Sequence, residues 1–366
     1  MKKFLGVLLL LTGTQTTQAA SSINELSKAC SLGCATLDMK HVIVDRVLQD
    51  EFEAVVLYAN ACNEGDADVC SKLGVMYYKG EGVQQDKFKA AESYTKACNG
   101  GNAVGCSLLG LMYSSGEGVR QDQFKAAELH TKACNGGNAA GCSLLGTMYA
   151  NGKGVRQDQF KAAESYTKAC DRGYADGCNN LGARYYNGEG VQQDKFKAVE
   201  LYANACDRGH ALGCSNLGAM YYKGEGVQQD TLKAAESYTK ACDRGNANGC
   251  NSLGEMYYKG EGVQQDKFKA VELYTSACDR GDAYGCNNLG AMYYSGEGVQ
   301  QNKFKAVELY TKACDGGSAI GCNNLGFAYG YKNGITPDRN KAIYFFGKAC
   351  DLKSELGCKN YSKMKE

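Results

Sequence analysis

The sequence predicts an all-α chain that folds as one elongated solenoid, and two observations predict it. Cysteine pairs eight positions apart recur with a period of 36 residues along most of the 366-residue chain. Each period also contains two stretches with apolar residues at helical spacing, separated by glycine-rich breaks. Because a unit of this size cannot bury its apolar face alone, successive units are expected to stack on one another.

Each unit is predicted to hold two helices, as residues 66–101 illustrate. Asp66 is placed to cap the first helix, called helix A, and the segment 80–83, Gly-Glu-Gly-Val, interrupts the helical pattern after it. Asp86 is placed to cap helix B, which the glycines at 100–101 end through a left-handed cap position. The same order recurs in the following units.

The repeat register divides the chain into four segments. They are a signal peptide at 1–19, a degenerate N-terminal capping unit at 20–65, eight 36-residue repeats at 66–353, and a C-terminal capping helix at 354–366. The first 19 residues combine two lysines, a short apolar run and small residues before the expected cut, as a secretory signal does. The apolar run is about half of the roughly 20 residues needed to span a bilayer. We therefore expect a secreted or periplasmic chain with no membrane span after cleavage.

Composition excludes several classes of partner. With Lys+Arg 41 against Asp+Glu 40, the formal net charge of +1 disfavours nucleic acid as a partner. Twenty cysteines in an exported chain are typical of a disulfide framework. Only three histidines are present, and no paired C-x-x-C knuckle occurs, so we expect no metal site and no cofactor. The chain is expected to be a monomer.

The repeat sequence also resembles a known family. Residues 217–234 read Leu-Gly-x-Met-Tyr-Tyr-x-Gly-Glu-Gly-Val-x-x-Asp-x-x-Lys-Ala, which is similar to the Sel1-like repeat, a relative of the tetratricopeptide repeat. With a disulfide in every unit and a signal peptide, the chain resembles the Helicobacter cysteine-rich proteins. The resemblance implies an α/α superhelix with one disulfide per repeat, export, and binding and slow hydrolysis of penicillins.

Two disulfide connectivities are geometrically possible. Pairing Cys62 with Cys70 bridges the turn between units, whereas pairing Cys70 with Cys98 closes one helical hairpin and leaves two cysteines of the chain without partners. The first scheme uses all twenty cysteines, and we predict it. The predicted pairs are Cys30–Cys34, Cys62–Cys70, Cys98–Cys106, Cys134–Cys142, Cys170–Cys178, Cys206–Cys214, Cys242–Cys250, Cys278–Cys286, Cys314–Cys322 and Cys350–Cys358.

Comparing the repeats with one another separates positions that recur for packing from positions that vary. A leucine and a glycine of helix A recur in every full unit, whereas the positions of Asp68, Lys72, Val75 and Lys79 vary. Their spacing places these four on one helical face. In a superhelix of this type helix A lines the concave surface, so this face is predicted to be a groove that binds a peptide or protein. A merely solvated variable face is the alternative.

The predicted groove changes character along the chain, from leucines in early units to asparagines in later ones. Its residues are Lys72, Leu108, Leu111, Leu144, Asn180, Asn216, Ser252, Asn288, Asn324 and Arg184. Amide side chains both donate and accept hydrogen bonds, which suits an extended peptide such as a cell-wall peptide or a segment of a host partner. Arg184 stands near Tyr174 and His210 at a position where most repeats have methionine. It is either a carboxylate-binding residue or a substitution that the fold tolerates without a function.

The second hypothesis is a slow β-lactamase or penicillin-binding protein. The segments 93–96, 165–168 and 237–240 each fit the S-x-x-K motif, and Tyr149-Ala150-Asn151 resembles a second motif of that class. Leucine occupies the serine position in other units, however, and no K-T-G motif is present. No catalytic residue is therefore assigned. Penicillin resembles the D-alanyl-D-alanine end of a cell-wall peptide, so weak penicillin binding would be compatible with either hypothesis.

Overall fold

The computed structural model describes residues 53–331 and 336–366, which contain helices and turns and no strand. The all-α class is confirmed, and each repeat contributes one helix pair. The chain forms two compact units, of which the first ends at Gln157 and the second begins at Asp158. We call the N-terminal one unit 1 and the C-terminal one unit 2.

The helices follow one another without interruption by other elements. Unit 1 contains α1 (53–63), α2 (Ala67–Lys79), α3 (Lys87–Asn99), α4 (Ala103–Ser115), α5 (Gln123–Asn135) and α6 (Ala139–Asn151). Unit 2 contains α7 (Gln159–Asp171), α8 (Ala175–Asn187), α9 (Lys195–Asp207), α10 (Ala211–Lys223), α11 (Thr231–Asp243), α12 (Ala247–Lys259), α13 (Lys267–Asp279), α14 (Ala283–Ser295), α15 (Lys303–Asp315), α16 (Ala319–Gly330), α17 (Arg339–Asp351) and α18 (Glu355–Lys365). Even-numbered helices are A helices, and odd-numbered helices are B helices.

Capping side chains start the helices where the sequence predicts. The Asp66 carboxylate accepts the backbone N–H groups of Asp68 and Val69 at 3.1 and 3.0 Å, and α2 ends at Gly80 with φ of 79°. A glycine adopts this left-handed conformation without the steric cost of a Cβ atom. At the end of α3 the left-handed residue is Gly101, with φ of 89°, and not the glycine before it.

Small residues let the helices approach closely. A Cβ atom on Gly74 would lie 2.4 Å from Cε1 of Tyr94, so only glycine fits between α2 and this ring. Ala90 and Ala97 of α3 are fully buried, and Leu73 is 4% exposed. The recurring leucine and glycine of helix A are therefore packing residues, as predicted.

One disulfide per repeat is confirmed. Nine disulfides occur in the described part of the chain, and each joins cysteines eight positions apart, which links the end of one B helix to the start of the next A helix. The Cα atoms of Cys98 and Cys106 are 4.5 Å apart. The bonds join Cys62–Cys70, Cys98–Cys106, Cys134–Cys142, Cys170–Cys178, Cys206–Cys214, Cys242–Cys250, Cys278–Cys286, Cys314–Cys322 and Cys350–Cys358. The predicted Cys30–Cys34 bond lies outside the described residues.

The predicted signal peptide and most of the predicted N-terminal capping unit also lie outside the described residues. Within residues 53–331 and 336–366, none of the helices has the length and apolar character of a membrane span. Nine disulfides in one chain are typical of a protein that folds in an oxidising, extracytoplasmic compartment.

Candidate functional site

The variable face of the A helices lies at the molecular surface in both units. We call it the A-helix stripe and define it by the positions of Asp68, Lys72, Val75 and Lys79 and their equivalents in later repeats. Lys72 is exposed, and Leu111 is 42% exposed. The half-buried residues of the predicted groove are Leu108, Leu144, Asn180, Asn216, Ser252, Asn288, Asn324 and Arg184.

Unit 1 has a pocket of about 320 Å³ on this stripe. Its walls are Tyr78, Tyr94, Leu108, Leu111, Met112, Ser115 and Glu117. The Tyr78 hydroxyl donates to Oε2 of Glu117 at 2.6 Å, and this hydrogen bond raises the pKa of Tyr78. Burial raises the pKa of Tyr94 to about 12. The two predicted leucines thus form the apolar wall of a cavity large enough for one side chain.

Unit 2 has a pocket of about 610 Å³ at the same register. Seven of its lining residues lie five repeat periods after those of the unit 1 pocket: Tyr258, Tyr274, Asn288, Ala291, Met292, Ser295 and Glu297. The other six are Asn251, Glu255, Lys259, Tyr284, Tyr294 and Tyr310. This pocket is lined by more polar side chains than the first, because Asn288 replaces Leu108 and because Asn251, Glu255 and Lys259 also line it.

Tyrosine and glutamate side chains link successive repeats beside these pockets. The hydroxyl of a helix A tyrosine donates to the glutamate 39 positions later, as in Tyr186 to Glu225 at 2.7 Å and Tyr222 to Glu261 at 2.5 Å. The same bond joins Tyr78 to Glu117 at 2.6 Å. Because the glutamate lies in the Gly-Glu-Gly turn of the following repeat, each bond ties two repeats together.

Sequence reasoning missed these tyrosines, although a signal for them was present. Ser114, Ala150 and Gly330 occupy the position of Tyr78 in other repeats, so this position varies as the A-helix stripe does. By the same criterion of variation between repeats, the Tyr78 position belongs with the A-helix stripe. In the double Tyr-Tyr of the repeat motif the first tyrosine recurs in every full repeat, which conceals the variation at the second.

Three of the four asparagines of the predicted groove, Asn216, Asn288 and Asn324, bond to the preceding A helix. Nδ2 of Asn216 donates to Oδ1 of Asn179 at 2.9 Å, 37 positions earlier. The equivalent bonds run from Asn288 to Asn251, from Asn324 to Asn287 and from Asn360 to Asn323, at 2.8–2.9 Å. In every case where the earlier residue is asparagine, the later one is asparagine too. Where the earlier residue is serine, the later one varies, as in Ser71 with Leu108, Ser143 with Asn180 and Ser215 with Ser252. These amides therefore hold neighbouring A helices together, whatever else they bind.

A pair of substitutions in α14 and α16 tests this role. Asn324→Leu alone leaves Oδ1 of Asn287, a residue 7% exposed, without its donor, and is expected to lower the free energy of unfolding by roughly 1–3 kcal/mol. Adding Asn287→Ser reproduces the natural Ser71 and Leu108 combination and is expected to restore most of the loss. Urea unfolding of both single variants and of the double variant measures this coupling. Additive effects would show that the amide bond contributes nothing.

Arg184 and His210 each contact side chains or backbone of their own chain, and they share no partner. The Arg184 guanidinium binds the carboxylate of Glu189 and donates to Oε1 of Gln159 at 2.9 Å. His210 caps α10, since its Nδ1 accepts the Gly213 N–H at 3.0 Å, and its Nε2 lies 2.6 Å from a carboxylate oxygen of Asp176. The carboxylate that Arg184 binds here thus belongs to its own chain. Tyr174, at the start of α8, makes no capping hydrogen bond.

The serines of the S-x-x-K segments are buried inside B helices. Ser93, Ser165 and Ser237 are 5–6% exposed, and each hydroxyl donates to the carbonyl four residues earlier at 2.7–2.8 Å. A nucleophilic serine needs an exposed hydroxyl with a base beside it. Lys96 and Lys168 instead bind surface side chains of Asn63 and Glu164. These serines have the surroundings of packing residues.

The described residues contain no group of three or more His, Cys, Asp or Glu side chains that could hold a metal ion. The charged side chains of the stripe instead form isolated pairs, such as Lys259 with Glu255 at 2.5 Å. The polar groups that this face presents are those of tyrosines, amides and a few charged side chains.

Comparison with solved structures places the fold among repeat proteins. A protective antigen of uropathogenic Escherichia coli strains, which displays the SLR fold, aligns with a TM-score of 0.72 at 28% identity, over 85% of this chain and 67% of that one. A Sel1 repeat protein from Oxalobacter formigenes aligns with a TM-score of 0.62 at 24% identity, over 84% and 89% of the two chains. Cysteine-rich protein B of Helicobacter pylori is 35% identical over 36% of this chain and 96% of its own, with a TM-score of 0.31.

No curated protein matches the chain. The Sel1 repeat, in contrast, matches eight consecutive segments: 67–102, 103–138, 139–174, 175–210, 211–246, 247–282, 283–318 and 319–354. Since these segments cover well over half of the 366 residues, the chain belongs to the Sel1 repeat family.

Proposed function

We propose that the protein is an extracytoplasmic scaffold that binds a peptide or an extended segment of a protein along the A-helix stripe. The observation that carries this proposal is the presence of two pockets at the same repeat register, one in each unit, whose walls combine buried packing residues with residues of the variable A-helix stripe. Each pocket is able to take a side chain of an extended ligand, because side chains project freely from an extended backbone.

The lining residues give each pocket its own preference. In unit 1, Leu108, Leu111 and Met112 favour an apolar side chain. In unit 2, Asn251 and Asn288 add amide groups that bond to each other at 2.9 Å, and each Nδ2 group has a further N–H that is able to donate to the backbone or a polar side chain of a ligand. Different pockets on one repeated frame provide sequence selectivity without any change of fold.

The disulfides support binding by holding the stripe in shape. Each bond fixes the start of one A helix against the end of the preceding B helix, next to the side chains that line the pockets. A site that is already rigid loses less conformational entropy when it binds. The finer assignment, secretion or retention in the periplasm with a cell-wall peptide or a host protein as ligand, follows from the predicted signal peptide and is part of this proposal.

The test uses a random-peptide phage library selected on the oxidised chain, followed by fluorescence anisotropy with the enriched peptides. Leu111→Glu introduces into the unit 1 pocket a residue found at this register in Glu255, and Ala291→Phe fills the unit 2 pocket with the residue found in Phe327. At least one of these variants is expected to weaken each enriched peptide by about tenfold or more.

The matched control lies on the opposite kind of helix. Phe124 in α5 is 78% exposed, and the last repeat has Asn340 at its register, so Phe124→Asn changes an exposed surface without touching either pocket. The Phe124→Asn variant is expected to bind the enriched peptides with the same affinity as the unchanged protein. If the enriched peptides bind both pocket variants with unchanged affinity but bind Phe124→Asn more weakly, the ligand binds to the B helices and the proposal is wrong.

A further inference from the structure

The unit 2 pocket contains two side chains that occur at their register in no other repeat. We call it the Glu255 pocket. At the register of Glu255 the other seven full repeats have Val75, Leu111, Thr147, Ala183, Ala219, Ala291 and Phe327. At the register of Tyr284 they have Asp68, Val104, Ala140, Asp176, Leu212, Asn248 and Ile320. The fold requires neither residue, yet both line the same pocket.

The walls of this pocket are largely tyrosine rings. Tyr274 and Tyr310 are buried, Tyr258 and Tyr294 are half-buried, and the Tyr284 side chain is 57% exposed and open to a ligand. The face of an aromatic ring carries partial negative charge and attracts cations. Burial first, and the charge of Glu255 second, raise the pKa of Tyr274, so the field of this carboxylate extends to the buried wall of the pocket.

The charged groups of the pocket differ in how firmly they are held. The carboxylate of Glu297 bonds to Tyr258 and lies 3.2 Å from Nζ of Lys267. Within the described residues, Glu255 pairs with the Lys259 ammonium at 2.5 Å, and their side chains are 48% and 41% exposed. An exposed pair four positions apart on a helix stabilises the folded chain only weakly. A ligand cation with better geometry is therefore able to displace Lys259.

We propose that the Glu255 pocket binds an arginine side chain of the peptide ligand, with the guanidinium paired to Glu255 and stacked on Tyr284. Arginine fits better than lysine because its planar guanidinium binds a carboxylate through two parallel hydrogen bonds and stacks on an aromatic ring. The proposal rests on the proposed function, since it names one residue of the peptide that the A-helix stripe binds.

The experiment begins with a positional-scanning peptide library incubated with the oxidised chain. Arginine is expected to be enriched at one position. The best peptide is then compared with a copy that carries citrulline in place of that arginine, which keeps the shape and removes the charge. The citrulline peptide is expected to bind about tenfold more weakly.

Two variants of the protein are expected to shift affinity in opposite directions. Glu255→Ala, which introduces the residue of three other repeats, should remove the difference between the arginine and citrulline peptides. Lys259→Ser, which copies Ser295 at the same register, removes the internal competitor and should strengthen arginine binding severalfold. Glu236→Ala deletes an exposed carboxylate of α11 outside the pocket and serves as the control.

The outcomes separate this proposal from the proposed function. A library that enriches peptides without a basic residue, or an arginine preference that survives Glu255→Ala, overturns the arginine proposal and leaves peptide binding intact. A library that enriches no peptide overturns both. Loss of the preference in Glu236→Ala as well would mean that net charge, and not the pocket, selects arginine.

Discussion

Replacing Cys278 and Cys286 together by alanine is expected to lower the free energy of unfolding by about 2.5 kcal/mol. The bond closes a loop with a sequence separation of 8, and a loop of about nine residues gives this value by the loop-entropy estimate. Both cysteines are buried, at 7% and 4% exposed, so the loss of sulfur contacts adds to the effect. Urea unfolding of the oxidised variant, followed by far-UV circular dichroism, measures the change.

A matched control uses the last disulfide of the chain. Cys350 and Cys358 form the same eight-residue bridge, but they join α17 to the terminal helix α18. Removing this pair should free only the last helix and shift the main unfolding transition less than the interior pair does. Equal shifts for the two variants would indicate that the bridges act on the unfolded chain alone and not on the contact between neighbouring repeats.

Lowering the pH from 7.5 to 4.5 is expected to destabilise the protein through His130, and His130→Tyr should remove this part of the loss. His130 is 1% exposed, no hydrogen-bond partner occurs for its Nδ1 within the described residues, and burial lowers its pKa from 6.5 to about 4. The folded state therefore favours the neutral ring. Its contribution is complete above pH 6.5 and is lost progressively as the pH falls from 6.5 to 4. By linkage, the full loss amounts to roughly 3 kcal/mol.

The tyrosine variant is well matched because other repeats place tyrosine at this register. Tyr94 lies against Gly74 as His130 lies against Gly110, so the ring should fit. A tyrosine does not gain charge at acidic pH. Carboxylates such as Glu225, whose pKa is lowered chiefly by its hydrogen bond from Tyr186, titrate in both proteins and cancel in the comparison. Unfolding midpoints that fall in parallel for the two proteins between pH 6.5 and 4.5 would contradict the role of His130.

The features that depend on neighbouring residues were predictable from the sequence. Asp66 caps α2 and Gly80 ends it because both roles rest on local backbone conformation. The one-disulfide-per-repeat arrangement followed from the 36-residue period and the even number of cysteines. The left-handed residue after α3 was harder to place, because Gly100 and Gly101 are adjacent and equally able to adopt it.

The candidate site was only partly predictable, because its contacts join residues one repeat apart. Leu108, Leu111 and Asn288 were predicted from their variability and line the two pockets. The bond between Asn324 and Asn287 spans 37 positions, and nothing in either helix alone indicates it. The same holds for Tyr78 and Glu117, where the repeat motif conceals which tyrosine carries the contact. Pairing between repeats is set by how they stack, which composition and local periodicity do not encode.

The amide bonds between A helices have a consequence for how such chains can be rearranged. A repeat that ends its buried face with Asn179 requires a successor with Asn216, whereas one with Ser71 accepts a successor with Leu108. Duplicating or deleting a single repeat creates one new junction, and exchanging a repeat creates two, and each new junction can leave a buried amide such as that of Asn179 without its partner. Recombination that moves a repeat together with its successor keeps the bond between those two repeats, so these bonds restrict which repeats can follow one another.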